Sequence, residues 1–156
     1  MNRGLRLTLL GCAVVGSVSL TRAQGPPATA PIVPSSETVT PGELLIEPPT
    51  LLNLGFEWFI QGDTNRNAVV EVSYRKTGGT SWKSALPLLR LQGERIYAES
   101  RVDVIAPNMF AGSILDLEPD TSYEARFVML DPDGVRGPAE RIVTVRTRAE
   151  PQSYPG

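Results

Sequence analysis

Three segments of this chain alternate between a strongly apolar face and a more polar one, and this period of two constrains the fold more than any other feature. They are LGFEWFI (54–60), VVEVSYRK (69–76) and YEARFVML (123–130), and a fourth segment, RIVTVRT (141–147), is rich in β-branched residues. Alternate residues of a strand share one face of a sheet, so each segment predicts a half-buried β-strand. No segment keeps an apolar period of 3.6 residues, so we expect little helix.

Turn-forming residues separate these segments. The breakers are GDTNRN (62–67), TGGTS (77–81) and DPDG (131–134), and each predicts a hairpin connection. In the last of them we expect Asp131 to accept hydrogen bonds from backbone amides and Gly134 to supply a positive φ. Short strands with regular turns favour an all-β, antiparallel β-sandwich.

The first 23 residues predict an export signal. Arg3 and Arg6 precede an apolar run at 7–20, and TRAQ offers small residues before a cleavage site after Ala23. A membrane-spanning helix needs about 20 apolar residues, and this run is shorter and interrupted by glycine and serine. Lipidation at Cys12 is an alternative end to the signal. Either way we expect a secreted protein, whether extracellular, periplasmic or held at the cell surface, with no stable membrane insertion after cleavage.

The rest of the chain divides into three predicted parts. Residues 24–42 form a Pro-rich leader, 43–148 a single domain, and 149–156 a flexible tail. Cleavage removes the only cysteine, so no disulfide remains. It also reduces 15 basic residues to 12 against 17 acidic residues, a net charge of −5. This charge argues against a nucleic-acid partner, which requires a clustered basic face.

Tyr123 stands at the head of an apolar strand, where its ring would enter the core and its hydroxyl would return to the backbone a few residues upstream. The surrounding stretch, LEPDTSYEARFVML, resembles the L-x-P-x-T-x-Y pattern of fibronectin type III domains, with Leu117, Pro119, Thr121 and Tyr123 in the pattern positions. Trp58 matches the core tryptophan of their second strand. The resemblance covers about residues 43–148 and implies an immunoglobulin-like sandwich.

Two features qualify this resemblance. The segment at 86–113 is an elongated connection, longer than such domains usually have, and SALPLLRLQGE (84–94) within it predicts one turn or a short strand. The stretches at 48–76 and 108–135 are also similar to the amino-terminal module of exported bacterial proteins that continue into a right-handed parallel β-helix, an architecture associated with polysaccharide binding and cleavage. We therefore expect either a module that stands alone or the leading piece of a longer protein.

Composition removes several catalytic chemistries. The chain has no histidine, so Ser/His/Asp and Cys/His catalysis and imidazole metal sites are excluded. The acidic residues that remain as catalytic or metal-binding candidates lie in predicted turns of a small sandwich: Asp116, Glu118, Asp120, Asp131 and Asp133. A glycosidase requires two carboxyl groups facing each other across a cleft, and DPDG lacks the ligand spacing of a calcium loop. We therefore expect no catalytic residues, no metal and no cofactor.

Two kinds of residue are candidates for binding. Exposed aromatic rings can stack on a sugar, and Trp82 near a hairpin tip is the first choice, with Tyr97 second. A polar loop tip can hydrogen-bond to hydroxyl groups, and its candidates are Asp63, Asn65, Arg66 and Asn67. The simpler interpretations are that Trp82 packs over the sheet edge and that the loop only connects two strands.

These observations predict a non-catalytic, exported binding or spacer module, associated through resemblance with polysaccharide-processing proteins. The expected partner is a polysaccharide or a neighbouring β-helix domain. Two alternatives remain: the amino-terminal fragment of a larger β-helix lyase or hydrolase, and a cell-surface module that adheres to another protein. Fold alone does not choose among these functions.

Overall fold

A computed structural model describes residues 36–98 and 101–153. The predicted signal peptide with Cys12, the leader as far as residue 35, and the last three residues of the tail lie outside the described residues.

Ten strands make up the secondary structure of the described residues. They are β1 (Thr40–Ile46), β2 (Leu54–Gln61), β3 (Val69–Lys76), β4 (Lys83–Ser84), β5 (Leu89–Leu91), β6 (Arg95–Ala98), β7 (Val102–Ile105), β8 (Met109–Ile114), β9 (Ser122–Leu130) and β10 (Glu140–Arg146). These residues contain no helix, and consequently none that could span a membrane. The four predicted strands correspond to β2, β3, β9 and β10.

The strands form two four-stranded antiparallel sheets and one separate ribbon. The first sheet has the order β1-β2-β8-β5, the second sheet has the order β10-β9-β3-β4, and β6 pairs only with β7 in the ribbon. The predicted all-β, antiparallel sandwich is confirmed.

Alternation along β2 and β9 builds the core between the two sheets. Leu54, Phe56, Trp58 and Ile60 of β2 are all buried, as are Tyr123, Ala125, Phe127 and Met129 of β9. The rings of Phe56 and Phe127 meet edge to face across the two sheets, with centroids 4.7 Å apart. Full burial of a large apolar side chain such as Phe56 or Phe127 contributes about 1.5–3 kcal/mol to stability.

The tyrosine at the head of β9 closes one end of the sandwich. Its ring is buried, and its hydroxyl oxygen accepts a hydrogen bond of 3.0 Å from the backbone N–H of Glu118. Leu117 is buried beside it, and the Thr121 hydroxyl donates to the carbonyl of Pro119 at 2.8 Å. The pattern residues therefore form a hydrogen-bonded corner around one buried ring.

The domain begins earlier than predicted, inside the segment interpreted as leader. Val39 is fully buried, and its N–H donates to the carbonyl of Gly134 at 3.2 Å. Strand β1 then starts at Thr40 and pairs with β2, with a register irregularity between Pro41 and Leu44. Proline and that irregularity obscure the alternation of β1, which is why the sequence read as linker.

The elongated connection at 86–113 contains four strands rather than an irregular loop. Strand β8 lies in the middle of the first sheet between β2 and β5, and the ribbon separates β5 from β8 along the chain. Short strand β5 falls within 84–94, where one turn or a short strand was expected. The ribbon is exposed along both of its strands.

One predicted hairpin is wrong. Segments 77–81 and 131–134 join antiparallel neighbours within the second sheet, but 62–67 links β2 of the first sheet to β3 of the second. This crossing requires a tight backbone at Gly62, whose φ is 81°. A Cβ at Gly62 would lie 2.2 Å from the Thr38 carbonyl oxygen, so only glycine fits.

Candidate functional site

The polar loop tip at 62–67 does not present all its side chains to solvent. Asp63 is fully buried, and its carboxylate pairs with the guanidinium of Arg90, whose side chain is 10% exposed. The same carboxylate accepts hydrogen bonds from the N–H groups of Asn67 at 3.0 Å and Ala68 at 3.1 Å. Asp63 was predicted to contact a ligand, and this is wrong: the carboxylate closes the interior of the loop.

Arg90 reaches Asp63 because it points into the gap between the sheets. It lies opposite Phe110 in the β5–β8 register, and its guanidinium carbon is 5.3 Å from the centre of the Phe110 ring. A second guanidinium nitrogen donates to the Asp63 carbonyl at 3.2 Å. The pair therefore fills the edge of the core with charges that satisfy each other.

The two asparagines of the loop bind another loop. The side-chain amides of Asn65 and Asn67 donate to one carboxylate oxygen of Asp133, at 2.7 and 2.8 Å. These two hydrogen bonds hold the pKa of Asp133 below that of an ordinary aspartate, and the one from Asn65 has the larger effect. The loop before β3 is thus tied to the loop before β10.

Arg66 ties the same loop to a third segment. Its guanidinium forms an ion pair with Glu94, next to the start of the ribbon. The hydrogen bond from Arg66 is the main reason that the pKa of Glu94 is lowered, followed by the hydrogen bond from the backbone N–H of Gln92. We call loops 62–68 and 131–139 with turn 92–94 the loop end. The predicted polar residues meet there, but their polar groups largely serve to join the three segments.

Four of the acidic residues considered for catalysis or calcium binding have structural partners: Glu118, Asp120, Asp131 and Asp133. Asp131 accepts from the N–H groups of Val39 and Asp133, each at 2.8 Å, and Gly134 has a φ of 102°. The interpretation of DPDG as a turn is confirmed. Asp120 pairs with Arg146 at 2.9 Å.

A cleft of about 310 Å³ lies between the β3–β4 turn and the tyrosine corner, lined by Asp116 and Glu118 among others. Glu118 is held there by Lys76 at 2.6 Å, and its hydrogen bond and charge raise the pKa of Lys76. Among residues 36–98 and 101–153, no three acidic or sulfur ligands are grouped closely enough to hold a metal ion.

Trp82 lies on the outer surface of the second sheet and lines a larger depression of about 540 Å³, which we call the Trp82 groove. Its lining residues are Glu71, Val72, Ser73, Trp82, Ser84, Ala85, Pro87, Arg126 and Val128. The outward residues of β3 and β9 form its floor, since Glu71 lies opposite Val128 and Ser73 opposite Arg126. The groove therefore combines one aromatic ring with polar groups and the outward face of two paired strands.

The indole ring of Trp82 is half-buried and held in place by Arg75. The guanidinium carbon of Arg75 is 4.4 Å from the ring centre, and the same guanidinium forms an ion pair with Glu124. A cation stacked on indole stabilises it by about 0.5–1 kcal/mol at an exposed site. Trp82 thus packs on the sheet, as the simpler interpretation held, while it also lines an open groove.

Tyr97 lies in a different part of the molecule. It is 63% exposed on β6 of the ribbon, with the guanidinium carbon of Arg95 5.6 Å from its ring centre. It does not line the Trp82 groove. The two aromatic candidates are not part of one site.

Sequence reasoning missed the groove residues Glu71, Ser73 and Arg126. The signal that could have identified them is the same alternation that predicted the core, since each occupies an outward position on β3 or β9. What the alternation does not give is the register that places Ser73 opposite both Arg126 and Ser84.

No protein-family model matches the chain. No curated protein matches it either. Among solved structures, a redesigned β-sandwich protein superposes with a TM-score of 0.43 and 16% sequence identity, over 70% of this chain and 95% of the other.

Proposed function

We propose that this chain is an exported, non-catalytic module of fibronectin type III type that binds a polysaccharide in the Trp82 groove. The observation that carries the proposal is the position of one indole ring in an open groove beside outward polar groups of Glu71, Ser73 and Arg126. Pyranose rings stack on indole through their C–H faces, and nearby carboxylate, hydroxyl and guanidinium groups can hydrogen-bond to sugar hydroxyls. The loop end favours this function less because its polar groups are engaged with one another.

Two features support the fibronectin-like type. The sheets have the orders β1-β2-β8-β5 and β10-β9-β3-β4, so hairpin neighbours such as β9 and β10 share a sheet while β2 and β3 do not. The hydroxyl of Tyr123 is fixed to the backbone of Glu118, which is the corner that the sequence pattern implies. The association with β-helix proteins remains part of the proposal and rests on sequence resemblance.

The experiment is a binding survey of the purified protein on immobilised polysaccharides, with Trp82→Ala as the test variant. We expect at least one polysaccharide to bind, and Trp82→Ala to weaken binding about tenfold or more, equivalent to about 1.4 kcal/mol. Tyr97→Ala is the matched control because it removes an exposed ring outside the groove. Absence of glycan binding, or equal binding by the wild type and Trp82→Ala, would contradict the proposal.

The ribbon favours a second candidate function, adhesion to another protein. Ile96 pairs with Val104 and Ala98 with Val102, so these four side chains share one face, and all four are exposed. An exposed apolar strand face is a common contact surface for a protein partner. A pull-down that compares the wild type with Val104→Lys tests this function. Equal capture of a partner protein by the wild type and the variant would count against it.

A further inference from the structure

The inference concerns which glycans the Trp82 groove accepts, and it rests on the proposed function. The two arginines beside the groove are already paired with carboxylates. Arg126 donates to both carboxylate oxygens of Glu140, at 3.0 and 3.1 Å, and Arg75 pairs with Glu124 while it stacks on Trp82. Because each positive charge has a neighbouring negative charge, the arginines provide little net attraction for an anionic sugar.

Glu71 supplies the remaining charge of the groove. It lies at an exposed, outward position on β3 and faces Val128 across the strands. The seven ion pairs formed by residues 36–98 and 101–153 do not include it. Lys83 is the nearest basic residue along β4, but it lines the smaller cleft on the other side of the turn rather than this groove. The groove therefore carries an uncompensated negative charge beside its aromatic ring.

We propose that the Trp82 groove selects electrically neutral polysaccharides and that Glu71 excludes acidic ones. A carboxylate can accept hydrogen bonds from two neighbouring hydroxyl groups of a neutral sugar. The same carboxylate repels the carboxylate of a uronic acid within the same groove. Glu71 is thus a specificity-determining residue, whereas Trp82 provides the stacking surface for any glycan.

The test compares neutral with acidic polymers by affinity electrophoresis of the purified protein. The neutral set is β-glucan, xyloglucan and glucomannan, and the acidic set is polygalacturonate and alginate. We expect the wild type to bind a neutral polymer and to show no retardation by either polyuronate. Glu71→Lys should strengthen binding to polyuronate about tenfold or more at low salt, and this gain should decrease as salt is raised.

Glu57→Lys is the matched control. Glu57 points outward from β2 on the first sheet, so the substitution makes the same change in net charge away from the groove. The gain in Glu71→Lys should disappear when Trp82→Ala is added.

The outcomes separate the two proposals. Trp82-dependent binding of polyuronate by the wild type, as strong as that of neutral polymers, removes the charge selectivity and leaves the glycan-binding function. A gain in Glu71→Lys no larger than in Glu57→Lys also removes the role of Glu71. If the wild type binds no glycan of either set, the function and the selectivity are both overturned.

Discussion

The loop end and the Trp82 groove contain similar polar residue types, but they use them differently. At the loop end, the carboxylate of Asp63 is buried against Arg90, and Asn65 and Asn67 both bind Asp133. In the groove, Glu71 is exposed at an outward position of β3, and the half-buried Trp82 lines the same depression. The polar groups of a loop can therefore be used to hold the fold together. A sheet face with fewer polar residues can then offer more polar groups that are free to bind a ligand.

Removing the charge of Arg90 should have the greatest effect on the loop end. We expect Arg90→Met to lower the free energy of unfolding by about 3–5 kcal/mol, because it leaves the Asp63 carboxylate buried without its cation. Methionine keeps an aliphatic chain over Phe110, so lost packing contributes less. Urea unfolding monitored by tryptophan fluorescence measures the change.

Arg66→Met is the control for that substitution. Arg66 also forms an ion pair from the same loop, but its side chain is 45% exposed and that of its partner Glu94 38% exposed. Exposed pairs contribute about 0–1 kcal/mol, so the control should unfold close to the wild type. Equal losses in the two variants would show that Asp63 is not a buried structural charge.

A smaller effect is expected at the corner around Tyr123, where a substitution can change stability without changing binding. Tyr123→Phe removes the acceptor of the Glu118 N–H and should cost about 1 kcal/mol. Tyr123 lies on β9 but does not line the Trp82 groove, so glycan affinity should stay within about twofold. An unchanged urea midpoint would contradict the role of the hydroxyl, and Tyr97→Phe serves as the exposed control.

The strands that sequence predicted well are those with one apolar and one polar face. Strand β2 shows this in Phe56 and Trp58, which are buried on either side of Glu57. Strand β8 escaped prediction because Met109 and Ala111 on its outer face are also apolar, and Gly112 interrupts the inner one. Alternation fails as a signal where both faces of a strand are apolar.

The candidate site was harder to predict because its residues are distant in sequence and come together only when the strands pair in a particular register. Asp63 and Asn65 look equivalent in the sequence, yet only Asp63 is buried, since Arg90 approaches it from a strand 27 residues away. Trp82 was identified because a large aromatic beside a turn is conspicuous. Its neighbour Arg126 comes from β9, and no local pattern indicates that pairing.

The smallest expected effect is a pH dependence at the loop end. The pKa of Asp133 is lowered in the folded protein by the amides of Asn65 and Asn67, so this carboxylate favours folding above the pKa of an unfolded aspartate, about 3.9. The contribution is lost as the pH falls through the lower folded pKa. Asp133→Asn should therefore unfold more easily than the wild type at pH 7, and the difference should shrink as the pH falls below about 3.9. Urea unfolding across this range measures it.

The matched control is the double variant Asn65→Ala/Asn67→Ala, which removes the donors rather than the acceptor. If the two amides cause the shift, adding Asp133→Asn to that variant should produce no further change with pH. A pH-dependent loss that persists without the amides would mean that Asp133 is stabilised by other groups. In that case the hydrogen bonds from Asn65 and Asn67 would not account for the structural role of Asp133, and the loop end would differ less from the Trp82 groove.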